Sequence, residues 1–279
     1  MIRIITDSAS DITSAQAKEM GVGLVRLVTS FDDGPFPMNS QADFDLFYEK
    51  LKTASALPVT SRPAPQEYLD LYLEAKKAGD DVLVLSLSSG LSGTIESAHV
   101  AKNMAEYDRI TIIDTQQAVM SQRILVERAV QMRDSGAGID EIVGEIMDLR
   151  DRVTVVGVIG SMVYLRKGGR IPPALGLIGD ALQIKPVITL KGKIGTIGKA
   201  RGLKAGYQMA WKHMEEDGVD PAYPVIFGYT SSIDQCRSFM EGTMARFAAE
   251  KTSIAQVGGI IGTHLGEDSI GAAYVMKKK

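Results

Sequence analysis

The stretch DVLVLSLSSGLSGTIESA (81–98) decides the fold class of this chain. Its first seven residues form a short apolar run that is typical of a buried strand, and the residues from 93 onward have helical spacing. Between these two parts, LSSGLSGT (87–94) carries four hydroxyl side chains and two glycines. A strand that passes through a short polar turn into a helix is the unit from which parallel α/β sheets are built.

The first half of the chain repeats this unit. Short apolar runs typical of buried strands alternate with segments whose apolar residues have helical spacing. The predicted strands cover 2–6, 23–28, 81–87 and 109–114, and the predicted helices cover 44–51, 65–79, 93–107, 116–135 and 139–151. This alternation indicates a parallel sheet covered on both faces. We therefore expect residues 1–150 to form an N-terminal α/β/α domain.

The second half has a different pattern, in which hairpins are mixed with helices. KPVITLKGKIGTIGKA (185–200) predicts two short strands that turn at Lys191-Gly192-Lys193. The other predicted strands cover 153–160, 224–231, 257–262 and 270–276, and the predicted helices cover 203–217 and 233–250. We expect residues 151–279 to form a C-terminal α+β domain with a mixed sheet, and we place the boundary near Arg150.

Composition excludes several classes of protein. The apolar and charged fractions, 45% and 23%, are those of a soluble globular protein. A net charge of −3 gives no sign of the basic face that nucleic-acid binders usually carry. One cysteine and three widely separated histidines predict neither a disulfide framework nor a metal site, and no cofactor is expected. Without a signal peptide or a membrane span in the pattern, we expect a cytoplasmic protein that does not insert stably into membranes.

Four polar segments are expected at the carboxyl ends of strands, where open parallel sheets bind their ligands. They are TDSASD (6–11), TSRP (60–63), SSGLSG (88–93) and DTQQ (114–117). Glycines at 90 and 93 would let a ligand approach the backbone closely. If a helix begins near Ser92, its first amides and the hydroxyls of Ser89 and Ser92 form a receptor for a carboxylate or phosphate. The alternative is that Ser92 or Thr94 merely caps that helix, as Thr13 is expected to do in TSAQ (13–16).

Nucleotide and hydrolase motifs do not fit this sequence. No GxGxxG follows a strand, and GKIGTIGKA (192–200) has the wrong glycine spacing for a phosphate loop, with Ala200 in place of the metal-binding hydroxyl. The GxSxG elbow of α/β hydrolases is absent as well.

Eight segments taken together resemble the DegV family of bacterial fatty-acid-binding proteins. They occur in the family's order and span nearly the whole chain: ITDSASDI (5–12), TSRPAPQEY (60–68), LSSGLSGTIESA (87–98), IDTQQAVM (113–120), LRKGGRI (165–171), IKPVITLKGKI (184–194), KARG (199–202) and GTHLG (262–266).

This resemblance implies a two-domain protein that holds a long-chain fatty acid, of about sixteen to eighteen carbons, in a tunnel between the domains. It also implies a non-catalytic carrier that presents the carboxylate to a separate ATP-dependent fatty acid kinase for acyl-phosphate formation. Carried over by motif, the carboxylate contacts fall on Thr60, Ser92, the Gly93 backbone and His264. Ser61, Ser89 and Arg201 are secondary candidates for the head group.

The tail requires an apolar lining, for which 153–165 and 173–184 are the candidate stretches. The cluster of Arg166, Lys167 and Arg170 is either a solvated basic turn or a docking surface.

The chain departs from the family pattern at two places near the head group. Arg62 stands where the family usually has Gln, and Glu267-Asp268 follow the GTHLG motif. These two acids would oppose an anion if they faced it, hold His264 protonated, or point to solvent.

Two other functions stay open on the residues alone. One is an α/β enzyme, a hydrolase or phosphotransferase that uses His264 and the segment LSSGLSGT (87–94), which we call the Ser-rich turn. The other is a regulatory domain that binds a sugar or a phosphate.

Overall fold

The computed structural model describes residues 1–170, 183–247 and 249–278. The strands are β1 (Ile2–Asp7), β2 (Val22–Val25), β3 (Val28–Phe31), β4 (Gly34–Phe36), β5 (Val59–Ser61), β6 (Asp81–Ser86), β7 (Ile110–Asp114), β8 (Val153–Val158), β9 (Ile184–Lys191), β10 (Lys193–Arg201), β11 (Val225–Tyr229), β12 (Thr252–Gln256) and β13 (Ile270–Val275). The helices are α1 (Ser14–Glu19), α2 (Gln41–Thr53), α3 (Pro65–Ala78), α4 (Thr94–Ala105), α5 (Val119–Asp134), α6 (Ile139–Arg152), α7 (Met162–Lys167), α8 (Leu203–Asp217), α9 (Ile233–Phe247) and α10 (Gly259–Leu265).

The first sheet has the strand order β2-β1-β6-β7, and all of its pairs are parallel. Side chains alternate between its two faces because successive residues of a strand point in opposite directions. On β6, Val82 and Val84 pack towards α3 and α4, whereas Leu83 and Leu85 pack towards α5 and α6. The apolar run 81–87 is therefore buried on both sides, as the sequence predicts.

The second sheet is mixed and has the order β10-β9-β8-β13-β11-β12. One face packs on α8 and α9, through residues such as Val156, Phe227 and Trp211. The opposite face contributes Ile226 and Ala273 to the same core cluster as α5 and the first sheet. Helix α5 thus lies between the two sheets, and the predicted fold class, a parallel α/β sheet followed by a mixed sheet, is confirmed. The domain boundary near residue 150 stays a prediction, and α6 continues to Arg152.

A third, antiparallel sheet with the order β4-β3-β5 was not predicted. The predicted strand 23–28 is in fact split between β2 and β3, which belong to different sheets. TSRP therefore does not follow a strand of the parallel sheet, because Thr60 pairs with Thr29 in this third sheet. Strands of three or four residues are too short for an alternation of apolar and polar residues to reveal them.

The prediction of a strand at 257–262 was wrong. This segment, VGGIIG, begins α10, and the neighbouring strand is β12, which ends at Gln256. A short apolar run fits a buried strand and a buried helix equally well. Inside the described ranges, the helices are too short or too polar to cross a bilayer, and no cluster of three metal-ligating side chains occurs. Most of the candidate lining stretch 173–184 lies outside the described residues.

Candidate ligand-binding site

The Ser-rich turn uses its hydroxyls in different ways. The Ser88 Oγ donates to the carbonyl of Gly192 at 2.5 Å, and the Ser89 Oγ donates to Asp114. The hydroxyls of Ser92 and Thr94 lie 2.9 Å apart. Helix α4 begins after Gly93, and no side chain of the described residues caps it, so the capping alternative for Ser92 and Thr94 was wrong. The Glu96 amide bonds the Gly93 carbonyl, and the amides before it in the first turn of an uncapped helix lack intrahelical acceptors and can bind an anion.

A second pair of polar groups stands opposite this turn. The Oγ1 atom of Thr60, in β5, lies 3.3 Å from the Nε2 atom of His264, in α10. Together with the Ser-rich turn they line one cavity, which we call the polar pocket. Its lining residues are Leu27, Thr60, Ser61, Arg62, Leu87, Leu91, Ser92, Gly93, Arg170, Ile194, Ile260, Ile261, His264 and Leu265. The structure therefore brings Thr60, Ser61, Ser92, Gly93 and His264 together.

Two of the predicted secondary residues lie elsewhere. Ser89 is exposed and is held by Asp114 through both its amide and its hydroxyl. Arg201 is the exposed last residue of β10, and its register partner is Ile184. Neither residue lines the polar pocket. A motif match fixes a position along the chain but not the direction in which a side chain points.

His264 is uncharged at neutral pH. Burial, followed by the positive charge of Arg170, lowers the pKa of its imidazole to about 4. Its Nδ1 is buried without a hydrogen-bond partner in the described structure, and a side chain at Gly168 would collide with that atom. The acids that follow GTHLG do not keep the imidazole protonated. Glu267 accepts from Tyr164, and Asp268 accepts from Ser231.

Two arginines also line the polar pocket, although the prediction relied on neutral donors. Arg170 is exposed, and its guanidinium donates to the Gly168 carbonyl at 2.7 Å. Arg62 pairs with Glu96 of α4 across Gly93, and its side chain is 54% exposed. Exposed charges of this kind are screened by water and salt, so they attract an anion weakly in comparison with buried donors.

An apolar cavity adjoins the polar pocket. It is lined by Leu91, Ala118, Val119, Met120, Val155, Gly157, Ile159, Ile188, Leu190, Ile194, Gly228, Thr230, Val257, Ile261, Leu265, Ser269, Ile270 and Gly271. Four of these residues, Leu91, Ile194, Ile261 and Leu265, also line the polar pocket. The two cavities therefore adjoin, with hydrogen-bonding groups at one end and an almost purely apolar lining at the other. Of the candidate lining stretch 153–165, Val155, Gly157 and Ile159 line this cavity.

Gly90 serves packing between the two sheets rather than ligand approach. A Cβ atom on Gly90 would collide with the backbone carbonyl of Gly192, at the tip of the β9–β10 hairpin. The amide of Gly192 donates to the carbonyl of Gln116 at 2.8 Å. The hairpin tip thus sits on two loops of the first sheet, and this contact corrects the ligand role expected for Gly90.

The segment TDSASD also has a structural role. Asp7 is buried and accepts hydrogen bonds from the amides of Ala9 and Leu87 and from Gln122. Burial outweighs these bonds and raises the pKa of Asp7 to about 6. Burial likewise raises the pKa of Asp11, which accepts from the amide of Gly258 just before α10. These two carboxylates hold the backbone that carries Leu87 and His264, but neither lines the polar pocket.

Comparison with known proteins identifies the family. The family model described as an uncharacterised protein of the DegV family matches residues 1–277. A DegV domain-containing protein of Caldanaerobacter subterraneus is 30% identical, with 99% of each chain covered. A structure described as fatty acid binding of a DegV family protein from Thermus thermophilus has a TM-score of 0.87 at 27% identity, with 99% of each chain covered. A stearic-acid-binding protein from Eubacterium ventriosum has a TM-score of 0.86 at 25% identity, again with 99% of each chain covered. This chain belongs to the DegV family.

Proposed function

We propose that the protein binds a long-chain fatty acid, with its carboxylate in the polar pocket and its tail in the apolar cavity. The observation that carries this proposal is the junction of the two cavities at Leu91, Ile194, Ile261 and Leu265. A molecule with one polar end and a long apolar body matches this arrangement. The descriptions of the Thermus thermophilus and Eubacterium ventriosum proteins as fatty-acid binders support it.

The energetics are those of a tight complex. About fifteen carbons follow the carboxyl group of a sixteen-carbon acid, and burying them contributes roughly 12 kcal/mol at ~0.8 kcal/mol per methylene. Ordering and association remove several kcal/mol of this gain. The head group needs hydrogen bonds because a buried carboxylate without donors is costly. The Thr60 and Ser92 hydroxyls, together with the first amides of α4, supply such donors.

We infer that the protein is a carrier, not the α/β enzyme of the alternative. The alternative enzyme would use the Ser-rich turn with His264 as a base, but the Ser92 hydroxyl lies against that of Thr94, and the hydroxyl beside the imidazole is that of Thr60. A general base works best when its pKa is near the operating pH and when a third group orients it. His264 meets neither condition, because its pKa is about 4 and its Nδ1 has no partner in the described structure.

The carrier proposal extends to a cytoplasmic location for this protein and to a separate ATP-dependent fatty acid kinase as its partner. Neutral donors satisfy the carboxylate without a metal or a fixed lysine, so an oxygen remains free to attack the γ-phosphorus of ATP when the kinase supplies the cations; the bond from the γ-phosphorus to the bridging oxygen then breaks, and ADP leaves. In this proposal residues 1–150 provide the Ser-rich turn and β5, and residues 151–279 provide His264 and most of the apolar lining.

Organic extraction of the purified protein followed by mass spectrometry tests the proposal. We expect stoichiometric long-chain fatty acid. A folded protein that is free of lipid and does not bind added oleate, yet is stabilised by hexose phosphates, would show a regulatory domain instead. Hydrolysis of acyl or phosphoryl esters that is lost in Ser92→Ala would show an enzyme.

A second experiment tests the kinase partner. A purified fatty acid kinase with ATP should convert the bound acid to an acyl-phosphate, which is trapped as the hydroxamate. If no such kinase phosphorylates the acid in the loaded protein, the carrier role is rejected but fatty-acid binding is not.

A further inference from the structure

Three glycines lie side by side on the face of the second sheet that lines the apolar cavity. Gly157 of β8 pairs with Gly271 of β13, which in turn pairs with Gly228 of β11. All three line the cavity. Adjacent strands lie about 4.8 Å apart, so the three positions form a groove roughly 10 Å long that runs across the strands. Val155 of β8 and Ile159, just after this strand, stand two positions to either side of Gly157 and form its walls.

The side chain of Met120 closes the β11 end of this groove. A Cβ atom on Gly228 would collide with the Sδ and Cε atoms of Met120, so the thioether occupies the space that a side chain there would need. Met120 is 3% exposed and lines the cavity. Methionine has three rotatable side-chain bonds and adapts readily to the shape of a neighbour.

The backbone that carries Met120 is held in an unusual conformation. Val119, the first residue of α5, has φ = +49°, and its N-cap neighbour Ala118 has no polar side chain that could cap the helix. A β-branched residue in the left-handed region is strained and persists only where the surrounding structure holds it. Ala118, Val119 and Met120 all line the cavity, so this strained start of α5 is placed against the ligand space.

We propose that Met120 is the stop that sets the length of the acyl chain and that the glycine row receives the chain's methyl end. This inference rests on the proposed function. The path begins at Ile194, which the polar pocket and the apolar cavity share. It passes Ile188 of β9, the register partner of Gly157, and continues across the row to Gly228. Met120 stands at the end of the row that is farthest from the β9–β10 hairpin.

Binding of a series of saturated acids, from laurate to arachidate, tests this inference. Delipidated wild type, Met120→Ala and Gly157→Ala are each titrated with every acid. Met120→Ala should shift the optimum to longer acids, with about fourfold tighter binding for each additional methylene that it accommodates. Gly157→Ala should shift it to shorter acids by a similar factor. A Cβ on Gly157 lies 3.5 Å from Ile188, an ordinary contact, so this variant keeps the fold even if Met120→Ala does not.

Met209 supplies the matched control. It lies over Gly198 of β10 as Met120 lies over Gly228, but it does not line the cavity. Met209→Ala should keep the wild-type length profile. A wild type that binds the acids while Met120→Ala and Gly157→Ala keep its profile overturns the inference and leaves the proposed function standing. A folded wild type that binds no acid of any length overturns the proposed function itself.

Discussion

The Nε2 atom of His264 lies 3.3 Å from the Thr60 hydroxyl oxygen, although 204 positions separate the two residues in the chain. Because the imidazole is neutral at pH 7, its Nε2–H can donate to Thr60 Oγ1 and leave the threonine proton free for an acceptor in the polar pocket. The pair then supplies a directed hydrogen-bond donor without a net charge.

The hydroxyls of Thr60 and Ser92 should contribute strongly to the affinity for a fatty acid, because their acceptor is a charged carboxylate. A hydrogen bond to a charged group contributes about 1.5–3 kcal/mol, so Thr60→Val and Ser92→Ala should each weaken fatty-acid binding at least about tenfold. Isothermal titration with oleate measures this loss. Ser89→Ala is the control in the same turn, because the Ser89 hydroxyl faces Asp114 outside the pocket. Equal effects at Ser89 and Ser92 would place the head group elsewhere.

Folding stability should depend on the protonation of His264. Its pKa is near 6.5 in the unfolded chain and about 4 in the folded protein. The folded state therefore binds fewer protons between these values, and stability falls as the pH drops through this window, by up to ~3 kcal/mol. Asp7, whose pKa rises to about 6, acts in the opposite direction over much of the same range. Comparison with a variant isolates the contribution of the histidine.

His264→Gln removes this titration. In urea unfolding, the variant should gain stability relative to wild type as the pH falls from about 7 to about 4.5. His99→Gln, on the exposed face of α4, controls for the loss of an imidazole from the surface. A stability difference between His264→Gln and wild type that stays constant with pH would contradict burial of a neutral His264.

Gly90 should be intolerant of a side chain. Gly90→Ala forces a Cβ onto the carbonyl of Gly192, a backbone atom that cannot rotate away. We expect a loss of about 1–3 kcal/mol in the free energy of unfolding. Gly144→Ala in α6 is the control, since its Cβ meets open space and a helical alanine should add about 0.5–1 kcal/mol. Equal stabilities for the two variants would mean that the hairpin tip is not seated on the turn.

The two arginines of the polar pocket should contribute a weak and salt-dependent attraction. Arg62→Gln and Arg170→Gln should each reduce affinity less than about fivefold at low salt, and the difference should vanish near 1 M salt. Arg201→Gln, outside the pocket, should have no effect on binding. Losses from the arginine variants larger than those from Thr60→Val and Ser92→Ala would show that charge, not neutral donors, holds the carboxylate.

The sequence predicted the parallel sheet well because its strands are continuous apolar runs bounded by polar turns. β6 and β7 lie within two residues of their predicted ends. Prediction from the sequence failed where the strands and helices are short. The three strands of the third sheet contain three or four residues each, and VGGIIG in α10 is too brief for its period to be read.

The site is a harder case. The hydroxyls and glycines of 87–94 indicated an anion receptor, but only family resemblance singled out Thr60 and His264. No local pattern reports that a short strand in the third sheet and a helix 204 residues later meet. The same limit explains why Ser89 was grouped with Ser92. Their side chains diverge because one bonds Asp114 and the other bonds Thr94, and spacing along the chain does not reveal that divergence.

The seat of the β9–β10 hairpin has a mechanical consequence. Gly192 touches Gly90 and bonds Gln116, and a few residues farther along the same hairpin Ile194 forms part of both cavities. If the hairpin tip moved away from these two loops, Ile194 would move with it, and the boundary between the polar pocket and the apolar cavity would open. Entry and release of a ligand would then depend on this one contact. A covalent cross-link between the hairpin tip and the loop that carries Gly90 should keep a bound ligand inside.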